Sequence, residues 1–98
     1  MSSFFRDIKE YVGFDEADSA RLLEADALVS SEYRAIVDHF YDRILNHPQA
    51  HRAITGGAAQ VERLKATLCM WLSSAFLGPH DDAYCEMRLR IGRAHVQI

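Results

Sequence analysis

Ser30-Ser31-Glu32-Tyr33-Arg34-Ala35-Ile36-Val37-Asp38-His39-Phe40-Tyr41-Asp42-Arg43-Ile44-Leu45 is the stretch whose reading decides the fold class. Tyr33, Ile36, Val37, Phe40, Tyr41, Ile44 and Leu45 stand at i, i+3, i+4, i+7, i+8, i+11 and i+12. That spacing puts every apolar side chain on one stripe of a helix, with Glu32, Arg34, Asp38, Asp42 and Arg43 away from it. The spacing predicts a helix that begins at Ser30-Ser31. It ends at Asn46-His47-Pro48, because the residue before a proline is pushed out of the α region.

The same period continues on both sides. Toward the N-terminus, Ser2-Ser3 can cap a short helix carrying Phe4, Phe5, Ile8 and Val12, stopped at Gly13. Asp15 offers a second N-cap, followed by a looser apolar stripe of Ala17, Leu22, Leu23, Ala25 and Leu28 that ends near Val29. Toward the C-terminus a short helical piece is expected over Gln49–Ile54, then a turn at Thr55-Gly56-Gly57. The next helix runs from about Ala58 to Leu77 on Val61, Leu64, Leu68, Trp71, Leu72, Ala75 and Phe76, and Gly78-Pro79 closes it. Asp81-Asp82 caps a last helix whose Tyr84, Met87, Ile91, Ala94, His95 and Ile98 share a face. Strict alternation is absent throughout, so the expectation is an all-α chain. The last helix carries no Gly, Asn or Pro stop, and the apolar stripes are rich for the chain length. Residues 1–98 are therefore expected to be the N-terminal part of a single domain of a longer chain.

Composition bounds the function. The 98 residues are 49% hydrophobic and 26% charged, as expected of one small domain or part of one. Eleven Lys and Arg against fourteen Asp and Glu give a net charge of −3. Binding nucleic acid through phosphates needs a clustered surplus of cations, so that class is not expected. No run approaches the roughly 20 apolar residues of a membrane span. Two cysteines, Cys69 and Cys85, are too few for a disulfide framework, and a reduced, cytoplasmic setting is expected.

Of the five histidines, His95 breaks the local rule. It stands on an apolar stripe, one turn after Ile91, and Gly92 removes a side chain from the same surface. Such a residue is either a satisfied core histidine or a neutral imidazole aimed into an apolar cavity, which is what a haem iron needs from a proximal ligand. His47 and His51 are spaced i, i+4 but lack further ligands for a tetrahedral site, and are expected to be solvated. His39 and His80 read as surface. Tyr41 is either an amphipathic core residue or a hydroxyl donor in an apolar pocket; Tyr11, Tyr33 and Tyr84 have equal local claims. The carboxylates form no defensible catalytic pair, and Gly56-Gly57 lacks the strand and the Lys-Ser/Thr of a phosphate loop.

The run Gly78-Pro79-His80-Asp81 … Tyr84 … Arg88-Leu89-Arg90-Ile91-Gly92-Arg93-Ala94-His95-Val96-Gln97-Ile98 resembles the proximal helix of bacterial globin-coupled oxygen sensors, with its IGxxHxxI pattern. Glu62–Thr67 with Trp71-Leu72 and Phe76-Leu77-Gly78 resembles their distal helix. Phe40–Leu45 with His47-Pro48 resembles the helix bearing their distal tyrosine, and Phe4–Val12 their extra N-terminal helix. The match is ordered and spans nearly the whole chain.

The resemblance implies a globin-like all-α fold with an extra N-terminal helix, here without the last two globin helices. It implies haem as cofactor, His95 as the proximal iron ligand and Tyr41 as the distal hydrogen-bond donor to bound oxygen. Ile44, Leu64, Leu68, Met87 and Ile91 would line the pocket. The implied function is sensing of oxygen or another diatomic gas, coupled to a fused output module. "TGG…QVERLK" and "GPHD" look most like the globins of histidine kinases; a diguanylate cyclase or chemotaxis transducer is the alternative output. A homodimer is implied for the full-length protein, with no catalysis in this domain. Two rivals stand beside this reading: a helical interaction module that never binds haem, and a globin that turns over oxygen or peroxide, which would want a more polar distal side than Leu64 and Leu68 offer.

Overall fold

The computed structural model describes residues 3–97. It is helical: α1 (Phe4–Val12), α2 (Glu16–Val29), a 3-10 turn (Ser30–Glu32), α3 (Tyr33–Leu45), α4 (Pro48–His51), α5 (Gly57–Leu77) and α6 (Asp82–Val96). Among the described residues there is no β-strand. The helix order matches the periodicity, and the boundaries follow local chemistry. Ser3 caps α1 by accepting from the Arg6 N–H at 3.0 Å; Ser2, its expected companion, lies outside the described residues, as does Ile98. Gly13 closes α1 at φ 76°. There the Gly13 N–H bonds to Glu10 and the Phe14 N–H to Lys9, the paired bonds of a Schellman ending.

Asp15 caps α2 as expected, but reciprocally. Its carboxylate accepts from the Asp18 N–H, while the Asp18 carboxylate accepts from the Asp15 N–H, each at 3.1 Å. Two acidic residues thus tie down a helix start. The third helix begins later than expected. Ser30–Glu32 form a 3-10 turn directly after α2, and α-helical geometry starts at Tyr33. The short piece is α4, four residues long, with Pro48 at its first position and the His47 ring accepting from the Ala50 N–H at 3.3 Å. α5 ends at Gly78 in the left-handed conformation, and Asp81 caps α6 by accepting from the Tyr84 N–H at 3.0 Å.

The chain divides into two compact units. One comprises residues 28–73. Its core is Val37 and Tyr41 of α3 against Val61 of α5, with Ile44, Leu45, Ile54, Leu64, Leu68, Cys69 and Leu72 packed around them. The α3 stripe is not buried across its whole width. Val37 is fully buried, whereas Ile36 is 51% and Phe40 49% exposed. The stripe of seven apolar positions is wider than the face that meets α5, so its 36/40 edge stays uncovered. Across the α3–α5 seam runs an ion-pair chain: Arg34 bridges Asp38 and Glu62, and Lys65 reaches Asp38, all at 3.0 Å.

The other unit comprises residues 1–27 and 74–98. Here α1 packs on α6 through Phe5 and Tyr84, whose ring centroids are 5.8 Å apart. The outer face of α1 is apolar and exposed: Phe4, Ile8, Tyr11 and Val12 all face outward.

Candidate functional site

The expected site residues fall into two groups, one in each unit. Tyr41, Ile44, Leu64 and Leu68 come together around the Val37–Val61 core of the first unit. Tyr41 is buried, with 9% of its surface exposed, and Phe40 meets its ring edge-on at 5.2 Å. Burial pushes the phenol pKa above its ordinary value because the phenolate loses hydration there. The hydroxyl is therefore neutral, a donor. It makes no hydrogen bond to another described residue. Leu64 and Leu68, one turn apart on α5, add apolar wall beside it. Burial also separates Tyr41 from the rival tyrosines, since Tyr11 is exposed and Tyr33 and Tyr84 are only partly buried.

Met87, Ile91 and His95 stand on α6 in the second unit. At four-residue spacing they share a face, on which Ile91 is partly buried and Met87 and His95 are exposed. The Nδ1 of His95 lies 2.8 Å from the Ile91 carbonyl oxygen. A carbonyl only accepts, so Nδ1 carries a proton, and in the neutral form of the ring Nε2 is the lone-pair nitrogen. A Cβ placed on Gly92 would meet no atom within 4 Å, so the backbone before His95 is open to a bulky neighbour.

These features fit haem. In the neutral form of His95, Nε2 is able to ligate an iron, and a backbone carbonyl on the other nitrogen is the usual support for a ligating imidazole. Among the described residues no group of three or more His, Cys, Asp or Glu could hold a bare metal ion. His47 and His51 are exposed, as expected of a solvated pair. Cys69 and Cys85 are free thiols. No described helix is long and apolar enough to cross a membrane.

One sequence reading is corrected. His80, expected at the surface, is half-buried and contacts several helices of its unit. Its Nδ1 is 2.9 Å from the Ser19 hydroxyl, and its Nε2 is 2.8 Å from the Ala75 carbonyl. Lys9 donates to its backbone carbonyl at 2.6 Å. Phe14 and Tyr84 meet its ring edge-on, with centroids 5.3 and 5.0 Å away. The adjacent Asp81-Asp82 made the site look solvated, and its partners Ser19 and Lys9 lie too far away in sequence for any local pattern to show them.

The helix order defines a globin-like, all-α fold. A family model described as protoglobin matches residues 2–98, and the chain belongs to that family. Among curated proteins, no match is found. Family membership implies haem as the bound group and a diatomic gas as its ligand.

Proposed function

We propose that this chain is the oxygen-sensing part of a signalling protein, in which His95 holds haem and Tyr41 addresses the gas. The observation that carries the proposal is the 2.8 Å contact between His95 Nδ1 and the Ile91 carbonyl, which leaves Nε2 free to ligate. Haem, when bound, supplies a ferrous centre that takes one diatomic gas. His95 would orient the group and set its electronics through the Ile91 hydrogen bond. Tyr41, neutral and desolvated, would donate one hydrogen bond to the gas ligand. Ile44, Leu64, Leu68, Met87 and Ile91 would exclude water, which slows loss of the reduced iron. Leu64 and Leu68 offer no polar group to assist turnover, which favours sensing over catalysis.

The finer reading is that residues 1–98 are part of one sensor-globin domain of a cytoplasmic homodimer whose fused output is a histidine kinase. The motifs around Gly56-Gly57 and Gly78–Asp81 support that output over a diguanylate cyclase or a chemotaxis transducer. The test is a haem titration of the protein followed by absorption. The proposal expects a Soret band that saturates at one haem per chain and shifts when carbon monoxide is added to the reduced form. A helical interaction module without haem would show only the spectrum of free haem.

A further inference from the structure

We infer that His80 is a joint that couples α6 to α1 and α2, so that a shift of α6 on gas binding is carried into the first two helices. The inference rests on the gas-binding reading above. His80 precedes the α6 cap, Asp81, and its side chain and carbonyl engage every other helix of its unit. The ring is held by Ser19 of α2 and the Ala75 carbonyl of α5, and the backbone carbonyl by Lys9 of α1. On α6 itself the ring packs edge-on against Tyr84, and the Arg88 guanidinium stacks over the other end of that column, 4.6 Å from the Tyr84 ring centroid. Arg88 in turn donates to the Ser74 hydroxyl at 2.7 Å.

Tyr84, Arg88, Ile91 and His95 continue along one face of α6 at steps of four, three and four. The helix contains no proline and runs unbroken from Asp82 to Val96. Its 15 residues span about 22 Å, and a helix that short moves as a rod. Hydrogen bonds weaken steeply when misaligned, so α6 cannot shift by an ångström and keep the Ser19, Ala75 and Lys9 contacts in place. Either α1 and α2 follow, or the contacts exchange for others. Both outcomes carry a local event at His95 to the opposite end of the unit. This is a contiguous element with defined contacts, the kind of structure that can hold coupling. The exposed apolar side of α1, with Phe4, Ile8, Tyr11 and Val12, is where the movement would surface.

The test is amide hydrogen exchange of the haem-loaded, reduced protein with and without carbon monoxide, read over Phe4–Val12 and Glu16–Val29. In the wild type, carbon monoxide is expected to change exchange in α1 and α2 by about fivefold, the low end of typical coupling. His80→Phe keeps the ring contacts with Phe14 and Tyr84 and removes both ring hydrogen bonds. It should abolish the α2 response, because the ring bond to Ser19 is lost while the Lys9 bond to the backbone carbonyl remains. The Soret band and its carbon monoxide shift should persist. Ser19→Ala, a milder change that keeps the fold if His80→Phe does not, should diminish the response. A Soret band that shifts with carbon monoxide while exchange in α1 and α2 stays still in the wild type overturns the joint alone. So does an α2 response of wild-type size in both variants. Absence of the Soret band overturns the gas-binding reading and the joint with it.

Discussion

The Nδ1 of His95 sits 2.8 Å from the carbonyl oxygen of Ile91, one helical turn earlier. The carbonyl has two lone pairs, so it can take the ring N–H alongside the helix hydrogen bond it already receives. In the neutral ring the contact places the proton on Nδ1, and it restrains the ring as well. It needs no partner from outside α6: the four-residue spacing brings the His95 ring to the Ile91 backbone carbonyl within one helix.

Tyr41→Phe should retain haem and release the gas faster. One neutral hydrogen bond contributes about 0.5–1.5 kcal/mol net, which corresponds to roughly a threefold to tenfold rise in the oxygen dissociation rate. Stopped-flow displacement of oxygen measures it. An unchanged rate would make Tyr41 a packing residue only. Tyr33→Phe, two turns earlier on α3, should leave the rate as it is.

The raised pKa of Tyr41 has a consequence for stability at alkaline pH. The folded phenol holds its proton above the ordinary value of 10.0, while the unfolded one releases it there. Below that pH both states are protonated and the group is silent. As pH rises through 10 toward the folded pKa, the unfolded state ionises first and stability falls. Urea unfolding between pH 8 and 11 should therefore show a steeper loss for the wild type than for Tyr41→Phe. Parallel curves would remove this role of burial.

Asp38 shows the opposite sign. The hydrogen bond from Lys65 lowers its carboxyl pKa, and the Arg34 charge adds to that against a cost of desolvation. Its contribution is present above the ordinary carboxylate value of 3.8 and is lost as pH falls through the lower folded value. Asp38→Asn should lower the melting temperature at pH 7, with a gap that closes toward pH 2 and narrows in 1 M salt, because the Arg34 side of the network is exposed and screened. A gap independent of pH and salt would indicate a packing effect instead.

Val37 and its neighbour Ile36 distinguish the two sides of the α3 stripe. Val37 is 0% exposed and Ile36 51%. Val37→Ala should destabilise by about 1.5–3 kcal/mol, from two lost methyl groups and the cavity they leave. Ile36→Ala should stay within about 0.5 kcal/mol, as exposed positions do. Equal costs in chemical denaturation would mean that Ile36 is covered in solution.

The helices were legible because their signals are local. Ser3, Asp15 and Asp81 before apolar-periodic runs, and Gly13 and Gly78 after them, mark ends that the structure reproduces. Other features depend on distant partners. Nothing near Tyr41 distinguishes it from Tyr33, since both sit on the same stripe; its burial comes from Val61, twenty residues on. His80 sits between a proline and two aspartates and reads as solvated, yet it bonds to residues 61 and 71 positions away. Ile36 and Phe40 fit the apolar period as well as Val37 does, and a period alone cannot say how wide the covering face is.

The most direct test of the account is the absorption spectrum of the reduced, haem-titrated His95→Ala variant beside the wild type, with His47→Ala and His51→Ala as controls. The account predicts a saturable five-coordinate ferrous spectrum for the wild type and both controls, and its loss in His95→Ala. The same five-coordinate spectrum in His95→Ala would contradict the assignment of His95 as the iron ligand.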